Sequence, residues 1–300
     1  MMEEKSRSTA RREDSGNSVD PVPLTLADIL EDPALGPRDR MPVHYRGPRE
    51  VTAAGWVDFA GRLERGEEIS LMQSLTAANR RVLDVGGGSG ELARAVAARI
   101  GRCTAVEPHD QLVESIGEEA DDTGPVDVFK GSAELLPFAD AAFDAVYCAW
   151  VLPYVSDIGK AIAEMVRVCD SSDPDAKVIV MSGGSGNELL NLLNEVCIPV
   201  ADEPYDHHGY LLSTAAGVLA EHGFSRFSLH RTEASIRFDE VGATERAATA
   251  AAVLTNFWYE RHPKAADIRA ALEPALARHF GRRPHGIGDQ GIALVARPAS

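Results

Sequence analysis

Residues 81–94, Arg-Val-Leu-Asp-Val-Gly-Gly-Gly-Ser-Gly-Glu-Leu-Ala-Arg, constrain the fold more than any other stretch of the chain. Val82, Leu83 and Val85 form an apolar run too short for a helix and suited to a buried strand. Gly86, Gly87, Gly88 and Gly90 then break the run, and Glu91–Ile100 has helical spacing with Leu92, Val96 and Ile100 on one face. Strand, glycine turn and helix together form a device for holding a nucleotide-like ligand. Glycine lets the backbone approach the ligand, and free N–H groups opening the helix are expected to point at it. The dinucleotide pattern Gly-x-Gly-x-x-Gly fits poorly, because counting from Gly86 and Gly88 its third glycine falls on Glu91.

Composition narrows the ligand class. With 44% hydrophobic and 25% charged residues over 300 positions, the chain has ample material for a core, as one large domain or two small ones. A formal net charge of −16 argues against a phosphate-tracking nucleic-acid surface and against an anionic membrane surface. Cys103, Cys148, Cys169 and Cys197 lack Cys-x-x-Cys spacing and sit in or beside apolar segments, which predicts buried free thiols and no metal site. Arg11-Arg12 is followed by Glu13-Asp14 without an apolar run, so no export signal is expected. No stretch reaches the roughly 18 apolar residues of a membrane span. A cytoplasmic protein is the expectation.

Along the chain, residues 1–20 are polar and charged and are expected to form a disordered tail. Residues 21–78 contain helix candidates at Val51–Leu63 and Glu67–Ala77, read as a helical lid or as a layer that only covers the sheet. Cys103–Val106 predicts a second strand ending at Glu107-Pro108, where an acidic residue about 20 residues past the loop can accept two ribose hydroxyl hydrogens. His109 either lines the adenine pocket or opens the helix Asp110–Glu119. Strands are further expected at Val126–Phe129, Phe143–Cys148, Ala176–Met181, Phe224–Phe238 and Gly291–Ala296. Asp157 is placed to cap a helix over Ile158–Cys169. Ser182–Gly186 is expected as a flexible loop, followed by helices over Asn187–Val196 and Leu212–His222. Between the last two strands, residues 239–288 predict an insertion with helices near Thr244–Glu260 and Ala265–Phe280.

The run Asp84-x-Gly86-x-Gly88-x-Gly90 resembles motif I of the class I S-adenosylmethionine-dependent methyltransferases, and Gly131-Ser-Ala-Glu-Leu-Leu-Pro-Phe138 is similar to a second segment of that family. The likeness is nearest the small-molecule, quinone and natural-product branch. It covers about Asn79–Ser182 and extends weakly to the late strands. Family members have aspartate where Ser132 stands, and a Val-Leu-His-His run where this chain has Val151-Leu152-Pro153-Tyr154, so no acid–base histidine is inherited there. The resemblance implies an α/β fold, a seven-stranded Rossmann-like sheet with helices on both faces. Residues 79–300 would then form the methyltransferase domain, following a helical lid at 21–78. It implies S-adenosyl-L-methionine as cofactor, held by Asp84, Gly86, Gly87, Gly88, Gly90, Glu107, Pro108, Ser132, Ala133, Glu134, Cys148, Ala149 and Trp150.

Methyl transfer from a sulfonium is an in-line displacement, so its rate rests on alignment, and the cationic sulfur gains from aromatic faces such as Trp150 and Tyr154. A phenolic acceptor also needs a base. His207 and His208, in a loop with Tyr205 and Tyr210, are the leading candidates, with Tyr154 carried beside them as catalytic. His44, Tyr45 and the Trp258–His262 cluster are rivals. The expected function is methylation of a small molecule, with neither nucleic acid nor membrane as partner and a homodimer allowed. A cofactor-binding regulatory protein without transferase activity is the alternative; a dehydrogenase is disfavoured by Glu91.

Overall fold

The computed structural model describes residues 22–118 and 124–299. The tail expected over 1–20 lies outside the described residues. In chain order the helices are α1 (Leu26–Glu31), α2 (Ala53–Ala60), α3 (Gly66–Leu75), α4 (Glu91–Ile100), α5 (Asp110–Glu118), α6 (Ile158–Val168), α7 (Glu188–Leu192), α8 (Ile198–Ala201), α9 (His208–Glu221), α10 (Ala243–Tyr259) and α11 (Ala265–Phe280). The strands are β1 (Leu63–Glu64), β2 (Val82–Val85), β3 (Cys103–Glu107), β4 (Val126–Lys130), β5 (Ala145–Ala149), β6 (Lys177–Gly183), β7 (Arg226–Thr232), β8 (Ser235–Arg237), β9 (Gly286–Gly288) and β10 (Gly291–Arg297).

Seven strands form the main sheet in the order β4-β3-β2-β5-β6-β10-β7. The first five chain segments of this sheet pair in parallel, and β10 runs antiparallel between β6 and β7. Buried on both faces, the central strands are continuous apolar runs rather than alternating ones. Leu83 and Val85 pack with the face covered by α6 and α9, whereas Val82, Ala105 and Tyr147 pack with Met72 of α3 and Val96 of α4 on the other. The four cysteines are free and buried, as their apolar settings predict.

Three expectations are corrected. Phe224–Phe238 is not one strand. It breaks after Thr232, and Ser235–Arg237 leaves the main sheet for a small antiparallel sheet of order β1-β8-β9. The Ser182–Gly186 loop is shorter than expected, because β6 runs on to Gly183 and Ser182 is fully buried. The helix predicted from Asn187 also continues further, through a π-helical turn at Leu193–Cys197 into α8.

The small sheet ties residues 63–64 to both ends of the insertion. Above it, α2 packs on α10, with Phe59 and Phe257 stacked at 3.9 Å between centroids. The helices approach so closely that a Cβ on Gly55 would lie 2.7 Å from the Asn256 carbonyl oxygen. The N-terminal segment therefore does three different things. Its start lies along the sheet, with Leu24 bridging Phe227 of β7; its middle joins the insertion; α3 returns to the core, where Gln73 donates to the Ala95 carbonyl.

The predicted cap at Asp157 is present, its carboxylate accepting from the Lys160 N–H at 3.0 Å. Asp157→Ala should lower the unfolding free energy by about 1 kcal/mol, leaving one helix donor without its partner. Urea titration should show a lower midpoint with an unchanged slope.

Candidate functional site

Strand β2 sits between β3 and β5, so the connections leaving its carboxyl end and that of β5 diverge to opposite sides of the sheet. Ligands of open α/β sheets bind in the crevice such a reversal opens. A cavity of ≈ 310 Å³ lies there, floored by Gly86, Gly88, Glu107 and Ala149. Its walls come from the N-terminal segment (Arg49–Ala53, Trp56) and from Arg261, just beyond α10.

The glycine loop differs from expectation in one respect. The Gly86 and Gly87 N–H groups donate to the Val106 carbonyl at 2.8 and 3.1 Å, and Gly90 donates to the Gly87 carbonyl at 2.8 Å. The Gly88 N–H donates to Glu107 Oε2 at 3.0 Å. These four donors therefore fix the loop and are not free for a ligand. The glycines matter for shape. Gly86 has φ +78° and a Cβ there would lie 2.4 Å from Val151 Cγ2; Gly88 has φ +56° and its Cβ would lie 3.0 Å from the Trp56 ring. Glu107, nearly fully buried, also receives the His109 N–H at 3.2 Å and faces His109 Nδ1 at 2.7 Å.

A second, smaller cavity of ≈ 50 Å³ adjoins the first. Arg49, Trp56, Trp150 and Tyr154 line both. Its apolar wall comes from Phe59, Leu193, Phe257 and Trp258, and its polar side from Arg65, Asn187, His208 and Asp289. Trp150 stands at the junction with φ +63°, left-handed backbone that a bulky residue rarely adopts. Its indole N–H donates to Glu68 Oε1 at 3.1 Å. Arg65 Nε lies 3.0 Å from Glu68 Oε2, and Asn187 Nδ2 donates to Asp289 Oδ1 at 2.6 Å. Burial pushes the Glu68 carboxyl up to about 7 and that of Asp289 up to about 6, against the pull of Arg65 on both.

Residues 83–172 match the family described as a methyltransferase domain. Over 107 residues the chain is 36% identical to YcgJ, an uncharacterized methyltransferase of Bacillus subtilis, a match covering 34% of this chain and 42% of that one. It is 28% identical over 169 residues to a ubiquinone/menaquinone biosynthesis C-methyltransferase of Methylobacterium nodulans, covering 54% and 62% respectively. The chain thus spans about half the length of the curated relatives it matches. The crystal structure of the YcgJ protein superposes with a TM-score of 0.53 at 20% identity, over 77% of this chain and 98% of that one, a likeness of fold. Residues 83–172 are thus similar to a methyltransferase domain.

Within that stretch, Gly86, Gly88, Glu107, Pro108, Ala149 and Trp150 line the large cavity, as does His109. Asp84, Gly87, Gly90 and Cys148 do not line it; they lie beneath or beside the loop. Asp84 is buried at the end of β2, where desolvation pushes its carboxyl up to about 7. A Cβ on Gly90 would lie 2.9 Å from Ile116, so this glycine lets α5 approach the loop. Ser132, Ala133 and Glu134 are also outside the cavity lining. They form the turn after β4, and Glu134 accepts from the Ser156 N–H at 2.7 Å. Among the described residues no group of three or more His, Cys, Asp or Glu is arranged to hold a metal ion, and no helix is long and apolar enough to cross a membrane.

The three catalytic candidates separate. His207 is the N-cap of α9, its Nδ1 accepting from the Tyr210 N–H at 3.0 Å, and it lines a different cavity beside Tyr205. His208 does reach the smaller cavity. Burial lowers its pKa, and its Nδ1 accepts from the Gly183 N–H at 3.3 Å, so the neutral ring carries its proton on Nε2 and offers a donor rather than a base. Tyr154 lines both cavities, but burial raises its hydroxyl well above the usual range and keeps it protonated. Of the rivals, Tyr45 is spent on the Leu152 and Val155 carbonyls. Arg49, Arg65, Glu68, Asn187 and Asp289 had no sequence signal of their own.

Proposed function

We propose that the protein transfers a methyl group from S-adenosyl-L-methionine to a small-molecule acceptor enclosed between the sheet and the α2–α10 layer. The observation that carries this reading is the pair of adjoining cavities, one over the glycine loop and Glu107, the other smaller and mostly apolar, sharing Trp150 and Tyr154. The residues present fit the cofactor. Glu107 retains one lone pair on Oε2 beyond those taken by Gly88 and His109, and a second on Oε1 if the part-exposed His109 ring turns away, so it can receive ribose hydroxyls. On the same cavity wall, the Trp56 indole N–H is buried without a hydrogen-bond partner among the described residues.

The cofactor supplies, when bound, an electrophilic methyl on a cationic sulfur. This chain's own contribution is to align and to exclude water. Glu107 anchors the ribose end, Gly86 and Gly88 allow the close approach, and Trp56, Trp150 and Tyr154 offer aromatic faces to positive charge. The acceptor is a small cyclic molecule, in keeping with the quinone-biosynthesis name of one relative. Partners are small molecules, and the setting is cytoplasmic.

Calorimetry with S-adenosylhomocysteine and NAD tests the reading. Saturable binding of S-adenosylhomocysteine with no response to NAD is expected, followed by incorporation of labelled methyl from a panel of cyclic acceptors. Tight binding of NAD alone would sink it.

A further inference from the structure

The smaller cavity contains an arrangement that cofactor binding does not require. Arg65 is almost wholly buried, its side chain 6% exposed, and lines the cavity. Its Nε pairs in charge with Glu68 Oε2 at 3.0 Å, but neither Nε nor Nη2 has a hydrogen-bond partner among the described residues. A buried guanidinium N–H left unmatched is costly, by the full desolvation of the group. Asp289 lines the same cavity and is equally hidden, with Oδ1 taken by Asn187 and its charge felt by Glu68 and Tyr154. A buried guanidinium and a carboxylate that can gain a proton thus share a small space that meets the large cavity at Trp150.

Resting on the function proposed above, we infer that the acceptor is a weakly acidic hydroxyl compound, a phenol, methylated on oxygen, with Arg65 binding that oxygen and Asp289 taking its proton. Neither an amine nor a carboxylic acid suits the pair as well. An ammonium would face the Arg65 cation, and a carboxylate would arrive already ionised with no use for a base. For a phenol the balance closes. The O–H proton passes to Asp289, and the oxygen pair, steadied by Arg65, forms the new C–O bond. The donor's C–S bond breaks with its pair left on sulfur, and Asp289 returns the proton to solvent after the product ether leaves. Glu68 is a positioning residue: it fixes Arg65 from one oxygen and the Trp150 indole from the other. His208 faces the cavity as a neutral donor, and Tyr154 stays protonated, so neither competes for the proton.

The test uses the full chain with 4-nitrophenol, whose phenolate absorbs visibly, after S-adenosylhomocysteine binding has been measured by calorimetry. In the wild type the bound probe is expected to show the phenolate band and, with S-adenosylmethionine, to yield 4-nitroanisole. Arg65→Met should weaken probe binding about tenfold or more and abolish the bound phenolate band. Because that change strands Glu68, the neutral double variant Arg65→Met/Glu68→Gln is measured beside it and should behave alike. Asp289→Asn should bind the probe near normally and lose about 10²- to 10⁴-fold in kcat. The wild-type kcat should rise with pH through about 6 as Asp289 loses its proton, with Arg65, Glu68, His208 and Tyr154 as its charged and titratable neighbours; Asp289→Asn should lack that limb. A probe that does not bind, binds equally without Arg65, is methylated on carbon, or keeps its acid limb in Asp289→Asn overturns the inference. Failure of S-adenosylhomocysteine to bind at all would instead overturn the function on which it rests.

Discussion

Glu107→Ala should weaken S-adenosylhomocysteine binding about ten- to a hundredfold, the equivalent of about 1.5–3 kcal/mol for hydrogen bonds to a charged group. The structure adds a second effect. Glu107 Oε2 holds the Gly88 N–H and Oε1 the His109 N–H, so alanine strands two donors in a nearly buried place. Unfolding in urea should therefore show a loss of about 1–3 kcal/mol for each donor that stays dry. Glu107→Gln separates the two roles, because an amide oxygen can still accept from Gly88 but cannot receive a pair of hydroxyls as a carboxylate does. We expect near-normal stability with impaired binding in Glu107→Gln, and loss of both in Glu107→Ala. Unchanged affinity in both variants would place the ribose elsewhere in the cavity.

That a single carboxylate both lines the cavity and holds the loop bears on how legible the site is in the sequence. Glu107 is reached by counting from the glycines, because β2, the glycine turn, α4 and β3 follow one another closely. The same local logic located each of the core strands and the helices α10 and α11, whose apolar periods are set by neighbours in the chain. It failed where the partner is distant. Phe224–Phe238 is one apolar-rich run, and only the pairing of Ser235–Arg237 with Leu63–Glu64 and Gly286–Gly288 breaks it into two sheets. Arg65 and Glu68, at the start of α3, carry no local signal, and only the fold brings Glu68 to the Trp150 indole and Arg65 to the cavity. Asp289 lies in a two-residue link before β10, a place where an aspartate normally signals nothing but a turn. His207 and His208 show the converse. Adjacent in sequence and aromatic in context, they are divided by the start of α9, which spends the first on a cap and sends the second into the cavity.

Arg49→Met should be the most damaging single change to stability, costing about 3–5 kcal/mol, because it removes one partner of a buried ion pair. Arg49 Nε meets Asp206 Oδ2 at 2.5 Å, with side-chain exposures of 4% and 8%. Its Nη1 lies 3.5 Å from Glu203, which also accepts from the Tyr259 hydroxyl at 3.0 Å at the end of α10. One residue thus joins the N-terminal segment, the loop before α9 and the insertion, and the first and last of these line both cavities. The pH dependence follows from Asp206. Burial would push its carboxyl up, yet the Arg49 guanidinium, with Arg46 behind it, holds it below its ordinary value. A depressed folded pKa stabilises the protein above the unfolded carboxylate value of about 3.9 and loses that contribution as pH falls through the folded value. In Arg49→Met the main opposing charge is gone and burial dominates, so the sign reverses: the variant should recover stability relative to wild type on acidification, as Asp206 takes a proton. Urea titrations at neutral and acid pH should show the gap between the two proteins narrowing toward low pH. A gap that stays constant would mean that Asp206 is not the group left stranded, and that Arg49 acts by packing alone.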